Sequence, residues 1–350
     1  MPARLLLTSI VFLILTGARP CLGQDARYEW CDAPEYGFID RSGTYVIPSR
    51  FSDAHEFHNG LAAAFTCSGW GYIDKTGNFV IPPQFGAAAV EFSEGLAAVL
   101  TAYGAGFIDK TGKLVIEPRF ELSQSFSEGL AEVMLGNKWG YVDRSGEIRI
   151  PFQFHYASQF VDDVARVEVS GTDSPATERW GFIDKTGKMI IAARFQDAGY
   201  FSEGLAAVKI EGKWGYIDKD GQMVIPPAFE GASDFRDGLS WVYQHGKCGF
   251  IDRSGAFRVT PSFFLCKDFH EGLALVEESG KTGYIDPSGK WVVPPTLQAG
   301  DDFSEGLADV LTADGKRGYI NKSGELVLRI DCDLNFEFSD GLAIVITSIH

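Results

Sequence analysis

Lys213 to Val242 reads KWGYIDKDGQMVIPPAFEGASDFRDGLSWV, and close copies of this phrase occur nine times along the chain. Each copy holds a Gly-aromatic-(Ile/Val)-(Asp/Asn) core, opened by Gly37, Gly71, Gly106, Gly140, Gly181, Gly215, Gly249, Gly283 and Gly318. The intervals are 34 or 35 residues, apart from one of 41. A second landmark, the Gly of an acidic-Gly-Leu phrase such as Glu94-Gly95-Leu96, follows 23 residues later in every copy but the second, where the gap is 24, and the fourth copy has Asp163 in its place. A fixed period of this length marks stacked supersecondary units, each too small to bury its apolar face alone.

Turn chemistry predicts the structure within a unit. In Asp74-Lys75-Thr76-Gly77 and its equivalents the Asp carboxylate accepts from the backbone two residues on, and the Gly supplies a positive φ. In the eighth copy Pro287 follows Asp286, where proline fixes the φ that a type I turn needs. The motif therefore joins a strand around Gly71-Tyr72-Ile73 to one around Phe79-Val80-Ile81. Pro82 is expected to end that second strand, because proline has no N–H for a continuing ladder. A connector with two spaced aromatics follows, such as Phe85 and Phe92, which read as core plugs between units. The third strand is Leu96-Ala97-Ala98-Val99, with Ala97 and Val99 on one face and Leu96 and Ala98 on the other.

Helical spacing of apolar residues is not sustained, and Gly or Pro interrupts nearly every stretch. The fold class is all-β: nine tandem units of about 34 residues, each a three-stranded antiparallel meander with a packed connector. Propeller blades usually have four strands and about 40 to 50 residues. An open β-solenoid is therefore the favoured closure, with a closed propeller-like ring as the alternative. The chain ends on a third-strand sequence, Leu342-Ala343-Ile344-Val345, with no hairpin after it, which suits either an end cap or a ring closure.

Residues 1–23 differ from the rest. Arg4, an apolar run from Leu5 to Leu15 and Cys21-Leu22-Gly23 read as a cleaved secretory signal, too short to span a bilayer that needs about 20 apolar residues. Residues 24–350 then form a single repeat array, expected in the periplasm or outside the cell, with no membrane span. The formal net charge is −16, and removing Arg4 and Arg19 takes it to −18, which opposes binding to nucleic acid. Five cysteines remain after Cys21: Cys31, Cys67, Cys248, Cys266 and Cys332. Cys31 and Cys67 both precede a Gly landmark and form the candidate disulfide.

Trp70-Gly71, Trp139-Gly140, Trp180-Gly181 and Trp214-Gly215, with the Tyr-Ile-Asp-Lys, Val-Ile-Pro-Pro and Phe-Ser-Glu-Gly-Leu-Ala phrases, resemble the WG-repeat (KWG-type) family from about Tyr36 to Val345. The resemblance implies a bacterial, often exported repeat protein with no common reaction. Five copies depart from it at the Trp, carrying Tyr36, Ala105, Cys248, Thr282 and Arg317.

None of the six histidines lies in an HExxH or beside a GxSxG turn, and the recurring carboxylates occupy turns. The chain reads as a non-catalytic, exported scaffold without a cofactor or metal, presenting its surface to a protein partner. A cell-envelope glycan is the alternative ligand, and an enzyme with a site between repeats is the least favoured reading. Trp70, Trp139, Trp180 and Trp214 are the candidate stacking residues for a sugar. The insertion behind the 41-residue interval, with Asp173, Ser174, Pro175 and Thr177, is the candidate partner loop.

Overall fold

The computed structural model describes residues 35–86, 91–169, 179–330 and 334–347. Every regular element among them is a β-strand, and the strands form nine antiparallel sheets. The copy around Gly215 shows how a sheet is assembled. Its hairpin, Lys213–Asp218 and Met223–Phe229, completes a sheet begun by Asp197–Ser202 and Leu205–Ile210 of the preceding copy. Its own tail, Gly231–Ala232 and Leu239–Gln244, opens the next sheet. The three-stranded unit is thereby corrected: the connector contributes a short inner strand, and blades straddle successive copies, eight with four strands and one with three among the described residues.

The same division corrects the open solenoid. Among the described residues the first hairpin, Glu35–Ile39 and Tyr45–Phe51, has no tail before it, and the last tail, Leu334–Ser339 and Leu342–Thr347, has no hairpin after it. They complete each other. Glu35–Ile39 pairs with Leu342–Thr347 over five consecutive residue pairs, from Glu35↔Thr347 to Ile39↔Ala343. The chain is a closed nine-bladed propeller, numbered here from the blade that holds both ends of the described chain. Closure satisfies two strand edges that a solenoid would leave open. It also buries Ala343, Ile344 and Val345 to 3% exposure or less.

Proline does not end the second strand, which runs Phe79–Phe85 straight through Pro82 and Pro83. This strand is the outer edge of its blade, so the missing N–H breaks no ladder bond there. Proline on seven of the nine outer edges also discourages edge-to-edge pairing between molecules. The pairing shifts between Trp70↔Phe85 and Tyr72↔Ile81, beside Gly71. A Cβ on Gly71 would lie 2.5 Å from the Ile81 carbonyl oxygen and 2.8 Å from the Pro83 nitrogen, so the Gly of the Trp-Gly pair is required by close backbone approach.

Packing between blades follows the expected alternation. Ala97 and Val99 face the second blade's core with Tyr72 and Phe92, while Leu96 and Ala98 face the fourth blade with Phe107 and Phe126. The second connector aromatic meets the strand aromatic of the preceding blade at all nine interfaces, from Phe38–Phe57 to Tyr319–Phe338, with ring centroids 4.8 to 5.0 Å apart. Each such pair contributes about 0.5–1.5 kcal/mol beyond area burial.

One end of the ring is closed by turns. Asp74 Oδ1 accepts from the Thr76 N–H at 2.9 Å, the Thr76 hydroxyl at 2.6 Å and the Asn78 N–H at 3.1 Å, and Gly77 has φ +83°. These bonds hold the Asp74 carboxyl below the ordinary range, with the Thr76 hydroxyl as the largest cause. The acidic-Gly turns link blades: Glu203 accepts from the Gly238 N–H at 3.1 Å, and Asp340 accepts from the Gly60 N–H at 2.8 Å across the closure. Basic residues after the turn Asp reach back one blade, as in Lys322–Glu271 at 3.0 Å and Arg41–Glu305 at 2.8 Å.

Glu132 interrupts this regularity. Its equivalents include Ala98 and Ala207, yet here a carboxyl is 6% exposed with Oε2 lacking a hydrogen-bond partner. Burial pushes its pKa up from 4.5 to about 8. The unfolded chain ionises it above about 4.5 while the fold keeps the proton to about 8, so stability falls as pH rises through that window. Glu132→Gln is expected to stabilise the protein by about 3 kcal/mol at pH 7 and by little near pH 4.5. Urea unfolding at both pH values checks this, and parallel stability changes in the two proteins across the window would contradict it.

Candidate functional site

With the recurrent Asp, Gly, Pro and Phe engaged in turns and packing, the positions where the copies differ are left to form a site. The residue before the second connector aromatic lies in the connector, within or beyond the short strand at the inner edge of the blade. In six of nine copies it is acidic: Glu56, Glu91, Asp234, Asp268, Asp302 and Glu337. Glu56 is raised in pKa first by burial, then by the charges of Glu91 and Asp301, and Glu337 likewise by burial and then by Glu56. These carboxylates come from blades far apart in sequence and share one field. The sequence carried the signal as a recurring acid before Phe, but only a ring brings the copies together.

On one side of the axis lies a cleft of about 840 Å³. Its aromatic wall is formed by Tyr156, Trp180, Tyr200, Trp214 and Trp241. An acidic wall of Asp234, Asp268, Asp301, Asp302 and Glu337 adjoins it, with Asp268 beside Trp241. Asp234 rises to about 6 because it is buried, with Arg166 and the Tyr200 backbone N–H opposing the shift. Asp268 and Asp302 are also raised, chiefly by burial. Asp268 Oδ1 has no hydrogen-bond partner. Partial compensation comes from Arg236 at 3.5 Å from Asp268, His270 at 3.6 Å from Asp302, and Lys267 paired with Asp301.

Arg166 occupies the position held by Ala98 and Ala207 in other blades. Its guanidinium lies 4.3 Å from the Tyr200 ring centroid, 5.0 Å from Trp180 and 5.9 Å from Tyr156. It donates to the Ala198 carbonyl, and its Nε is buried without a partner.

The four sequence-selected tryptophans divide. Trp70 and Trp139, each 8% exposed, are packed into inter-blade cores. Trp180 and Trp214 are half-buried and line the cleft, where Trp241 joins them from a different strand position. At the Trp position of the seventh blade stands Cys248, which is disulfide-bonded to Cys266 on the inner strand of the eighth blade. That bond was not anticipated from sequence. It ties two blades together beside the acidic wall, since Lys267 and Asp268 follow directly, and it contributes about 3 kcal/mol through the entropy it removes from the unfolded chain. Cys67 is also disulfide-bonded, while its expected partner Cys31 lies outside the described residues. The signal segment, residues 1–23, and the loop with Asp173, Ser174, Pro175 and Thr177 lie outside them as well. Val169 and Arg179, the flanks of that loop, pair with each other one step from Glu168↔Trp180.

Among curated proteins no sequence matches the chain. Among solved structures, one titled as the eukaryotic initiation factor is 12% identical with a TM-score of 0.59, covering 90% of this chain and 98% of that one. BamB from Moraxella catarrhalis is 13% identical with a TM-score of 0.44, covering 85% and 97%. The first likeness concerns the fold alone. A family described as WG containing repeat matches residues 36–65, 70–101, 106–139, 139–172, 180–214, 214–248, 249–281, 283–316 and 318–346. With nine matched stretches spanning nearly the whole ring, the chain belongs to the WG containing repeat family.

Proposed function

We propose that this propeller is a non-catalytic binding module whose axial cleft holds a segment of a protein partner. The observation that carries the reading is the cleft itself, a concave site lined by five aromatic rings and by five carboxylates in an otherwise regular scaffold. The disulfide between Cys248 and Cys266 supports an exported location, periplasmic or extracellular, because such bonds persist in oxidising compartments. The acidic balance of the chain disfavours nucleic acid as ligand. A glycan of the cell envelope is the second reading, favoured by the placement of Trp180, Trp214 and Trp241 beside hydrogen-bond acceptors.

Selection of a random linear peptide library on the immobilised protein, with soluble peptidoglycan fragments titrated in parallel, separates the readings. Enriched peptides that bind the wild type and lose about tenfold or more in affinity to Trp241→Ala support the protein-partner reading. Binding of fragments alone, with the same sensitivity, transfers the site to the glycan. Ligands indifferent to Trp241→Ala would remove the cleft from consideration.

A further inference from the structure

We infer that the partner segment held by the axial cleft is basic, an extended peptide that places lysine or arginine side chains between the aromatic wall and the axial carboxylates; this rests on the protein-partner reading above. Charge complementarity is the first support. Asp197, Asp234, Asp268, Asp301, Asp302 and Glu337 line the cleft against Arg166 and Lys267, with Arg236 paired to Asp268, which leaves three negative charges in excess. An acidic or neutral segment would leave those carboxylates repelling one another.

The second support is independent of the acids. Arg166 already rests its guanidinium against Tyr200, Trp180 and Tyr156 in the same cleft, so this aromatic surface accepts a cation of the kind a basic peptide carries. Trp214 shows the same disposition, with Lys209 Nζ 5.9 Å from its ring centroid. Trp241 lines the cleft beside Asp268, edge-on to Tyr243 at 5.6 Å between ring centroids, and no cation lies over its ring among the described residues. The alternation of an extended strand suits the site, since every second side chain of the segment can turn toward the acidic wall.

The test uses the mature chain and the same peptide selection. Enrichment of lysine and arginine is expected, with about tenfold weaker binding to the Asp302→Asn/Glu337→Gln pair. A control pair, Glu147→Gln/Glu325→Gln, removes the same charge from exposed turns on the opposite end of the blades and is expected to change affinity less than about twofold. Melting curves of both pairs establish that they fold, and Glu337→Gln alone, at a side chain partly open to solvent, repeats the comparison with its own melting curve. Enriched peptides that are neutral or acidic yet still lost with Trp241→Ala would overturn the basic segment and leave the protein-partner reading standing. Basic peptides weakened equally by both pairs would reduce the effect to net charge and overturn the inference. Failure to enrich any peptide, with peptidoglycan fragments bound, would overturn both.

Discussion

Truncation after Asp340 is expected to abolish cooperative folding of the whole chain. The deletion removes Leu342–Thr347, in which five consecutive residues from Leu342 to Ile346 are 8% exposed or less. Burying each of the four larger side chains stabilises the fold by about 1.5–3 kcal/mol, so the loss is about 6–12 kcal/mol. That equals the whole stability of a typical protein, about 5–15 kcal/mol. In an open array the result would differ, because stability there is a sum over neighbours and losing the last strand affects one unit. Circular dichroism melts of the full and truncated chains distinguish the cases. A truncated chain with a melting transition close to that of the full chain would contradict ring closure. Val345→Asp, which keeps the length and places a charge among Ile39, Tyr319 and Phe338, is expected to fail in the same way.

The second large effect separates tryptophans that look alike in sequence. Trp139→Ala is expected to lower stability by about 3–5 kcal/mol, because the ring packs against Ile150 and Phe154 in a closed core. Trp214→Ala removes a half-buried ring at the cleft and is expected to cost only about 1–2 kcal/mol while weakening ligand binding. Denaturant midpoints measured side by side check the difference. Equal losses from the two substitutions would place both rings in the core and withdraw Trp214 from the binding wall.

Much of this fold was legible in the repeat. Asp-x-Ser/Thr-Gly predicted the hairpin turns because the carboxylate and the positive-φ Gly act within a few residues. The alternation in Leu96-Ala97-Ala98-Val99 likewise predicted which residues face each neighbour. Ring closure was harder to read for a specific reason. A period fixes the order of hairpin and tail but not which tail joins which hairpin, and Glu35 and Thr347 are paired across the whole described chain. The orphan hairpin at one end and the orphan tail at the other were the available clue. The short inner strands, two residues long in Gly231–Ala232, left no alternation to recognise, so the blade appeared to lack its fourth strand.

The candidate site was legible in part for a related reason. Trp180 and Trp214 stand out as tryptophans, but nothing local distinguishes them from the buried Trp70 and Trp139. The difference arises from neighbours on adjoining blades: Arg166 in place of an alanine, and Trp241 in place of another. The axial acids precede a packed Phe and look like solvent-facing residues of a connector. Burial raises Glu56, Asp234, Asp268, Asp302 and Glu337 around a common axis, which exists only once the last strand has met the first.

Small-angle X-ray scattering of residues 24–350 tests ring closure most directly. A compact closed propeller of this length is expected to have a radius of gyration of about 20 Å. Nine sheets stacked about 10 Å apart in an open solenoid would form a rod about 90 Å long with a radius of gyration of about 26 Å or more. A value near the first, with a single-peaked distance distribution, is the result expected of the ring; a rod-like profile at the second would contradict it.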